Sequence, residues 1–299
     1  THSSLLTANI AATLTQNTEH SDALISRFAA LALSNLASLP DNHARLVSER
    51  AHVALVRLAA SPAHTWRVVN FEGEPADHPD APQAAEDQQF IAAHGHDKDA
   101  RRYATLALGA LCLTTAVHGE LIAAKLLPAL TTALRAPDQE TRFNSAYGLA
   151  KLAGNEDNVV QIGECGCIPA LVDVIANDNL FAQTQAVAAL RLLAVDASNR
   201  QLIHNANALA AMSGISAEVD IEMQRELAGC ACMMTLLETF RTPMCETALL
   251  TAVLQLCRSE DIEVARHACG AIANASASHE THRKLILELS IVGQFVFHM

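Results

Sequence analysis

Apolar positions along this chain recur every three to four residues, the period of helices that pack on one face. The segment Arg27-Phe28-Ala29-Ala30-Leu31-Ala32-Leu33-Ser34-Asn35-Leu36-Ala37 sets the pattern, and its counterpart, running from Arg102 to Cys112, lies 75 positions on. From there the pattern returns every 41 residues, in segments that end at Ala153, Ala194, Thr235 and Ser276. In register, one column reads Leu33, Leu108, Leu149, Leu190, Ala231, Ile272, and the next turn reads Leu36, Leu111, Leu152, Leu193, Met234, Ala275. A column of small residues reads Ala32, Ala107, Gly148, Ala189, Cys230, Ala271. Large beside small at helical spacing predicts helices packed closely on their neighbours.

A second helix shares the period, through Val53-Ala54-Leu55, Pro128-Ala129-Leu130, Pro169-Ala170-Leu171, Ala210-Ala211-Met212 and Thr251-Ala252-Val253. Between the two elements lies a short polar start with one apolar anchor: Leu46, Leu121, Ile162, Ile203, Met244, Leu285. Asn42, Asn158 and Asn199 stand four residues before that anchor, where a side-chain oxygen can cap a helix. Pro128 and Pro169 fit the first turn of the second helix. Each unit thus reads as one short helix and two longer ones. No such unit buries its apolar faces alone, so the units must stack.

The string Gly166-Cys167-Ile168-Pro169-Ala170-Leu171-Val172, with Ala32-Leu33-Ser34-Asn35-Leu36-Ala37 and the 41-residue period, resembles armadillo repeats. The segments Ser26–Leu33 and Arg102–Gly109 resemble most the adaptor branch typified by vacuolar armadillo proteins. The resemblance implies an all-α fold, a right-handed superhelix (α-solenoid) of about five to six repeats with one long insertion. Tandem HEAT units are the neighbouring alternative. Residues 1–60 carry repeats with the first truncated, 61–96 an insertion, and 97–299 further repeats with the last truncated. The first residues supply only a second helix, about 5–14, and a third, 22–37. The last supply only a first and a second, and Ile291, Val292, Phe295, Val296 and Phe297 do not form a polar cap. A segment of a longer solenoid, or an end packed on a partner, is the expectation.

The insertion contains Pro62, Pro75, Pro79 and Pro82 and six acids against one base, Arg67. It reads as a mobile loop: either a neutral expansion or a partner-docking segment anchored by Trp66 and Phe71.

In armadillo proteins the third helices line the concave face, where residues four apart share a stripe. The stripes here are Arg27/Leu31/Asn35, Arg102/Leu106/Ala110, Phe143/Tyr147/Lys151, Thr184/Ala188/Leu192, Arg225/Gly229/Met233 and Arg266/Gly270/Asn274. Nuclear-import adaptors of this fold carry Trp in the middle column and Asn in the last. This chain has no Trp there and Asn at two places, Asn35 and Asn274, which disfavours an import-type peptide receptor. Arg27, Arg102, Arg225 and Arg266 in the first column suit an acidic or phosphorylated segment. The competing account is local i, i+3 pairing with Asp99, Glu222 and Glu263. Tyr147, Lys151, Trp66, Asn35 and Asn274 complete the candidate partner-binding set.

Composition sharpens the picture. Half the chain is hydrophobic (51%), yet 56 alanines stand against 11 aromatics, which is what closely stacked helices require. The net charge of -12 disfavours general nucleic-acid binding. No apolar run is long enough to cross a bilayer. Eight cysteines without paired Cys-x2-Cys spacing suit buried thiols in a reducing cytoplasm. His94-x-His96 and His279-x-x-His282 lack supporting ligands, and no nucleophile motif or phosphate loop is present. The expectation is a non-catalytic interaction scaffold or adaptor, without cofactor or metal, cytoplasmic and part of a larger complex of proteins. The alternative is a structural component of a cytoskeletal, axonemal or flagellar assembly.

Overall fold

The computed structural model describes residues 10–60, 97–278 and 280–288. They divide into two compact units, Thr1–Leu152 and Ala153–Met299. The first holds α1 (Ile10–Asn17), α2 (Ala23–Ala37), α3 (His43–Ser48), α4 (Ala51–Ala60), α5 (Lys98–Leu111), α6 (His118–Ala123), α7 (Leu126–Ala133) and α8 (Gln139–Ala153). The second holds α9 (Val159–Glu164), α10 (Cys167–Asn177), α11 (Leu180–Leu193), α12 (Ala197–Asn205), α13 (Ala208–Met212), α14 (Ile221–Met234), α15 (Glu238–Cys245), α16 (Ala248–Leu256), α17 (Ile262–Ser278) and α18 (Glu280–Glu288). No strand occurs among the described residues.

The third helices are α2, α5 and α8 in the first unit and α11, α14 and α17 in the second. Consecutive ones pack side by side, α2 on α5 and then α11 on α14 on α17, while second helices such as α4, α10 and α16 back them. The large columns explain the stacking: Leu33, Leu108, Leu149, Leu190 and Ala231 are fully buried, as are Leu111, Leu152, Leu193, Met234 and Ala275. Small residues between them let the helices approach. A Cβ on Gly148 would already stand 3.6 Å from the Gly109 Cα. The anchors Leu46, Leu121, Ile162, Ile203 and Met244 are buried as expected; in α18 Ile286 is buried instead of Leu285, a one-residue shift of the inward face.

Each third helix begins the same way. Asp22, Asp97, Asp138, Asn179, Asp220 and Asp261 hold one register position, and each side chain accepts a backbone N–H of the first turn at 2.8–3.0 Å. Such caps stabilise a helix by about 1 kcal/mol each. The helix ends are served from the short first helix. His43 Nε2 lies 2.7 Å from the Ala37 carbonyl, and His118 Nε2 2.8 Å from that of Cys112. At the same register Arg200 Nη1 donates to the Ala194 carbonyl (2.7 Å) and Arg241 Nε to that of Thr235 (2.7 Å). A positive or imidazole donor at a helix C-terminus meets both the orphan carbonyl and the dipole.

The asparagines act otherwise than expected. Neither Asn42 nor Asn158 caps its short helix through the side-chain oxygen. Asn42 Nδ2 donates to the Leu36 carbonyl at 2.8 Å, and the buried Asn199 donates to the Val159 carbonyl at 3.0 Å. The amide supplies a donor because the buried neighbours at this junction are carbonyls.

At four of the five described junctions, first and second helices are joined through one left-handed residue. Arg50 (φ 61), Lys125 (φ 64), Gly166 (φ 80) and Asn207 (φ 62) share that register, and only Gly166 adopts it without a Cβ penalty.

Candidate binding face of the third helices

The stripe arginines of the first unit, Arg27 and Arg102, are tied into one network through Asp99. Arg27 Nε donates to both oxygens of Asp97 (3.2 and 3.0 Å), with Nη1 3.6 Å from Asp99. Asp97 therefore serves twice, as the cap of α5 and as the partner of an arginine on α2. Arg102 pairs within α5 to Asp99 (3.2 Å) and across to Glu140 on α8 (3.2 Å), and its guanidinium sits 5.1 Å over the Tyr103 ring. Hydrogen bonding to Asp97 holds the Arg27 guanidinium above its ordinary value, and the Tyr103 hydroxyl does so for Arg102.

Beyond the arginines the surface becomes aromatic. Phe143 and Tyr147 stack at 6.3 Å, and Lys151 Nζ rests 4.8 Å from the Tyr147 ring centre. Gly109 on α5 makes this possible, since a Cβ there would meet Tyr147 Cδ1 at 3.3 Å. Burial pushes the Tyr147 phenol up. Asn35 is exposed on α2.

In the second unit Arg225 reaches forward to Asp261, the cap of α17, at 2.5 Å, and to Glu263 at 4.0 Å. The expected local pair with Glu222 is replaced by this longer reach, and Glu222 accepts instead from Gln185 on α11 (3.4 Å). The other two local pairs stand: Asp99 with Arg102, and Glu263 with Arg266 at 3.5 Å. Asn274 donates to the Thr235 hydroxyl at 3.2 Å, so its amide is engaged with the preceding repeat. Arg191 crosses from α11 to Glu226 on α14 (2.5 Å), its stem lying where a Cβ on Gly229 would stand 2.4 Å away.

Two features escaped the sequence reading. The cap column was legible as an Asp five residues before each stripe arginine in the 41-residue register. The exposed apolar side chains Phe181, Ile221 and Ile262 occupy the first two positions of α11, α14 and α17, and their isolated occurrence in the sequence gave no signal. Trp66, Phe71, His94, His96, His279 and the stretch 291–297 lie outside the described residues. Among the described residues no group of three His, Cys, Asp or Glu side chains could hold a metal ion, and no single helix is long and apolar enough to cross a membrane.

Residues 155–195 match the family described as Armadillo/beta-catenin-like repeat. The chain is similar to Vacuolar protein 8 of Schizosaccharomyces pombe, 24% identical over 185 residues, covering 61% of this chain and 34% of that protein. It is also similar to Vacuolar protein 8 of Candida albicans, 26% identical over 187 residues, covering 62% and 32%. The chain thus spans about a third of the length of the curated relatives it matches. Among solved structures, a designed armadillo repeat protein in complex with the peptide (KR)4 matches with a TM-score of 0.66 at 18% identity, covering 88% of this chain and 98% of that one. A structure concerning a phosphorylation switch in the interaction between cadherin and beta-catenin matches with a TM-score of 0.71 at 15% identity, covering 93% and 48%. These likenesses show the fold: the three-helix units are arranged as in armadillo-repeat proteins, as the resemblance read from the residues implied.

Proposed function

We propose that this armadillo-repeat chain is a non-catalytic protein-binding scaffold or adaptor of the cytoplasm, working through the exposed faces of its third helices within a larger protein complex. The observation that carries this reading is the first unit's stripe, where Arg27, Arg102, Tyr147 and Lys151 stand half-buried or exposed on adjacent third helices. The partner's contact there is an acidic or phosphorylated segment. The ion pairs of Arg27 and Arg102 do not preclude it. Partly exposed pairs contribute about 0.2–1 kcal/mol, whereas a hydrogen bond to a charged group contributes about 1.5–3 kcal/mol. A phosphate can therefore displace Asp99 or Glu140 at small cost, and Tyr147 offers a rigid aromatic surface beside it. Support from relatives is at the level of fold: solved proteins of this fold are described with a bound peptide and in the cadherin–beta-catenin interaction.

The test uses the full chain with Arg27→Ala, Arg102→Ala and Lys151→Ala combined, and fluorescein-labelled acidic and phosphoserine peptides followed by anisotropy. Wild type should bind more weakly as salt rises, and the triple variant should lose at least about tenfold, the effect of anchor residues at an interface. Equal affinity and an equal salt slope would make these side chains purely structural.

A further inference from the structure

Each third helix of the second unit starts with an exposed large apolar side chain, as α2 of the first unit does through Leu24. Phe181 on α11, Ile221 on α14 and Ile262 on α17 are 71%, 44% and 82% exposed. Ile221 and Ile262 are 41 residues apart and hold one register position, and Phe181 stands one position further along its helix. The three helices pack side by side, which places these side chains at one end of the stack. Capping does not explain them, because Asn179, Asp220 and Asp261 already do that work. Local helix propensity does not favour them either, since β-branched and aromatic residues are mediocre helix formers.

The charge around these helix starts is mainly negative. In the three eight-residue windows 177–184, 218–225 and 259–266, which span each cap and first turn, seven carboxylates face two arginines. Those arginines, Arg225 and Arg266, are themselves paired to Asp261 and Glu263. The same windows of the first unit, 20–27, 95–102 and 136–143, hold five acids and five bases. Acidity is therefore a property of this edge rather than of armadillo helix starts in this chain.

Spacing adds the geometry of the occupant. Packed helices lie about 8–10 Å apart. A polyproline II segment repeats every three residues at about 3.1 Å each, roughly 9 Å per turn, with the same side facing the surface at each third residue. A strand does not fit, because its third residue faces away.

We propose that this edge docks an extended, polyproline II-type protein segment carrying an apolar residue at every third position and basic residues between. Apolar side chains of that segment settle against Phe181, Ile221 and Ile262, and its lysines or arginines meet the surrounding carboxylates. The proposal rests on the protein-binding reading above but assigns a second partner chemistry, opposite in charge, to a different face.

The probe is a labelled peptide of three Leu-Pro-Lys triplets, with three Leu-Pro-Glu triplets and a scrambled Leu-Pro-Lys composition as comparisons. Anisotropy is read with the full chain, its Phe181→Ser/Ile262→Ser variant, and Glu222→Lys/Glu263→Lys. These side chains are exposed, so circular dichroism should be unchanged by either double substitution. Wild type should bind the basic peptide and lose affinity as salt rises, and the serine variant should weaken it at least about tenfold. The lysine variant should transfer preference toward the Leu-Pro-Glu peptide. Equal binding by the serine variant, equal binding of the scrambled peptide, or no binding by wild type overturns the proposal. The Arg27/Arg102/Lys151 variant supplies the separation: it should leave the basic peptide bound, so either face can fail without the other.

Discussion

Replacing Gly163 by alanine sets two magnitudes against each other within α9. Helix propensity alone favours alanine by about 1 kcal/mol. Packing opposes it, because a Cβ at this position would stand 1.7 Å from Asn199 Oδ1 and 2.5 Å from its Cγ. Asn199 is buried, and its amide donates to the Val159 carbonyl at 3.0 Å, so it cannot step aside without losing that bond. Overpacking a buried contact costs about 1–3 kcal/mol, and the lost hydrogen bond about 1 kcal/mol. The balance is a net destabilisation of roughly 1–3 kcal/mol, of opposite sign to propensity. Gly119 in α6 is the control: nothing lies within 4 Å of a Cβ built there, so Gly119→Ala should stabilise by about 0.5–1 kcal/mol. Urea unfolding followed by circular dichroism measures both, and Asn199→Ala completes a double-mutant cycle. Removing the Asn199 side chain relieves the clash, so Gly163→Ala should become neutral or stabilising in that background, a coupling above about 1 kcal/mol. A stabilising Gly163→Ala in the wild-type background, or additive effects, would refute the packing argument.

Lys125→Gly should stabilise by about 1 kcal/mol, because Lys125 holds the left-handed turn at φ 64, while Gly166→Ala should lose a similar amount despite open space around it; paired thermal melts check the opposite signs. Asp97→Ala should cost about 1–2 kcal/mol, more than the roughly 0.5 kcal/mol of Arg27→Ala, since the first removes a cap as well as an ion pair. Equal losses in urea titrations would show that the pair, and not the cap, dominates. His52 is held below its ordinary value by burial, so the unfolded chain binds its proton first. Stability that is full above about pH 7 should fall as pH drops through about 6.5 toward the folded value, and His52→Leu should flatten that limb. An unchanged pH profile in the leucine variant would remove His52 as the cause.

The buried half of the architecture was legible because burial repeats. Leu108, Leu149 and Leu190 solve the same packing problem at each repeat, so the solution recurs at a fixed interval and shows as a column. Hydrogen-bond direction was not legible. An asparagine four residues before an anchor offers both an oxygen and an amide, and only the neighbours decide which is used; at Asn42 and Asn199 the neighbour is a carbonyl. Reach was also hidden. Sequence spacing suggested that Arg225 pairs with Glu222 one turn away, yet Asp261, 36 residues on, is brought against it by the stacking of α14 on α17. The arginines were therefore found as a column, with the local partners of Arg102 and Arg266. The partners that Arg27 and Arg225 take from the next helix are revealed only by the packed pair of helices.

This arrangement explains why overall charge says so little about what the chain binds. The repeat fixes where a side chain stands but leaves exposed positions free to vary, since they contribute little to folding. At the middle stripe position the first unit has Leu31, Leu106 and Tyr147, and the second has Ala188, Gly229 and Gly270. The difference is mechanical in the second unit: the missing side chain at Gly229 lets the Arg191 stem lie flat and reach Glu226. At the helix starts the contrast is in charge, balanced in the windows of the first unit and strongly acidic in those of the second. The two units thus present helix starts of different charge without altering a buried residue. A net charge of -12 averages over both and describes neither.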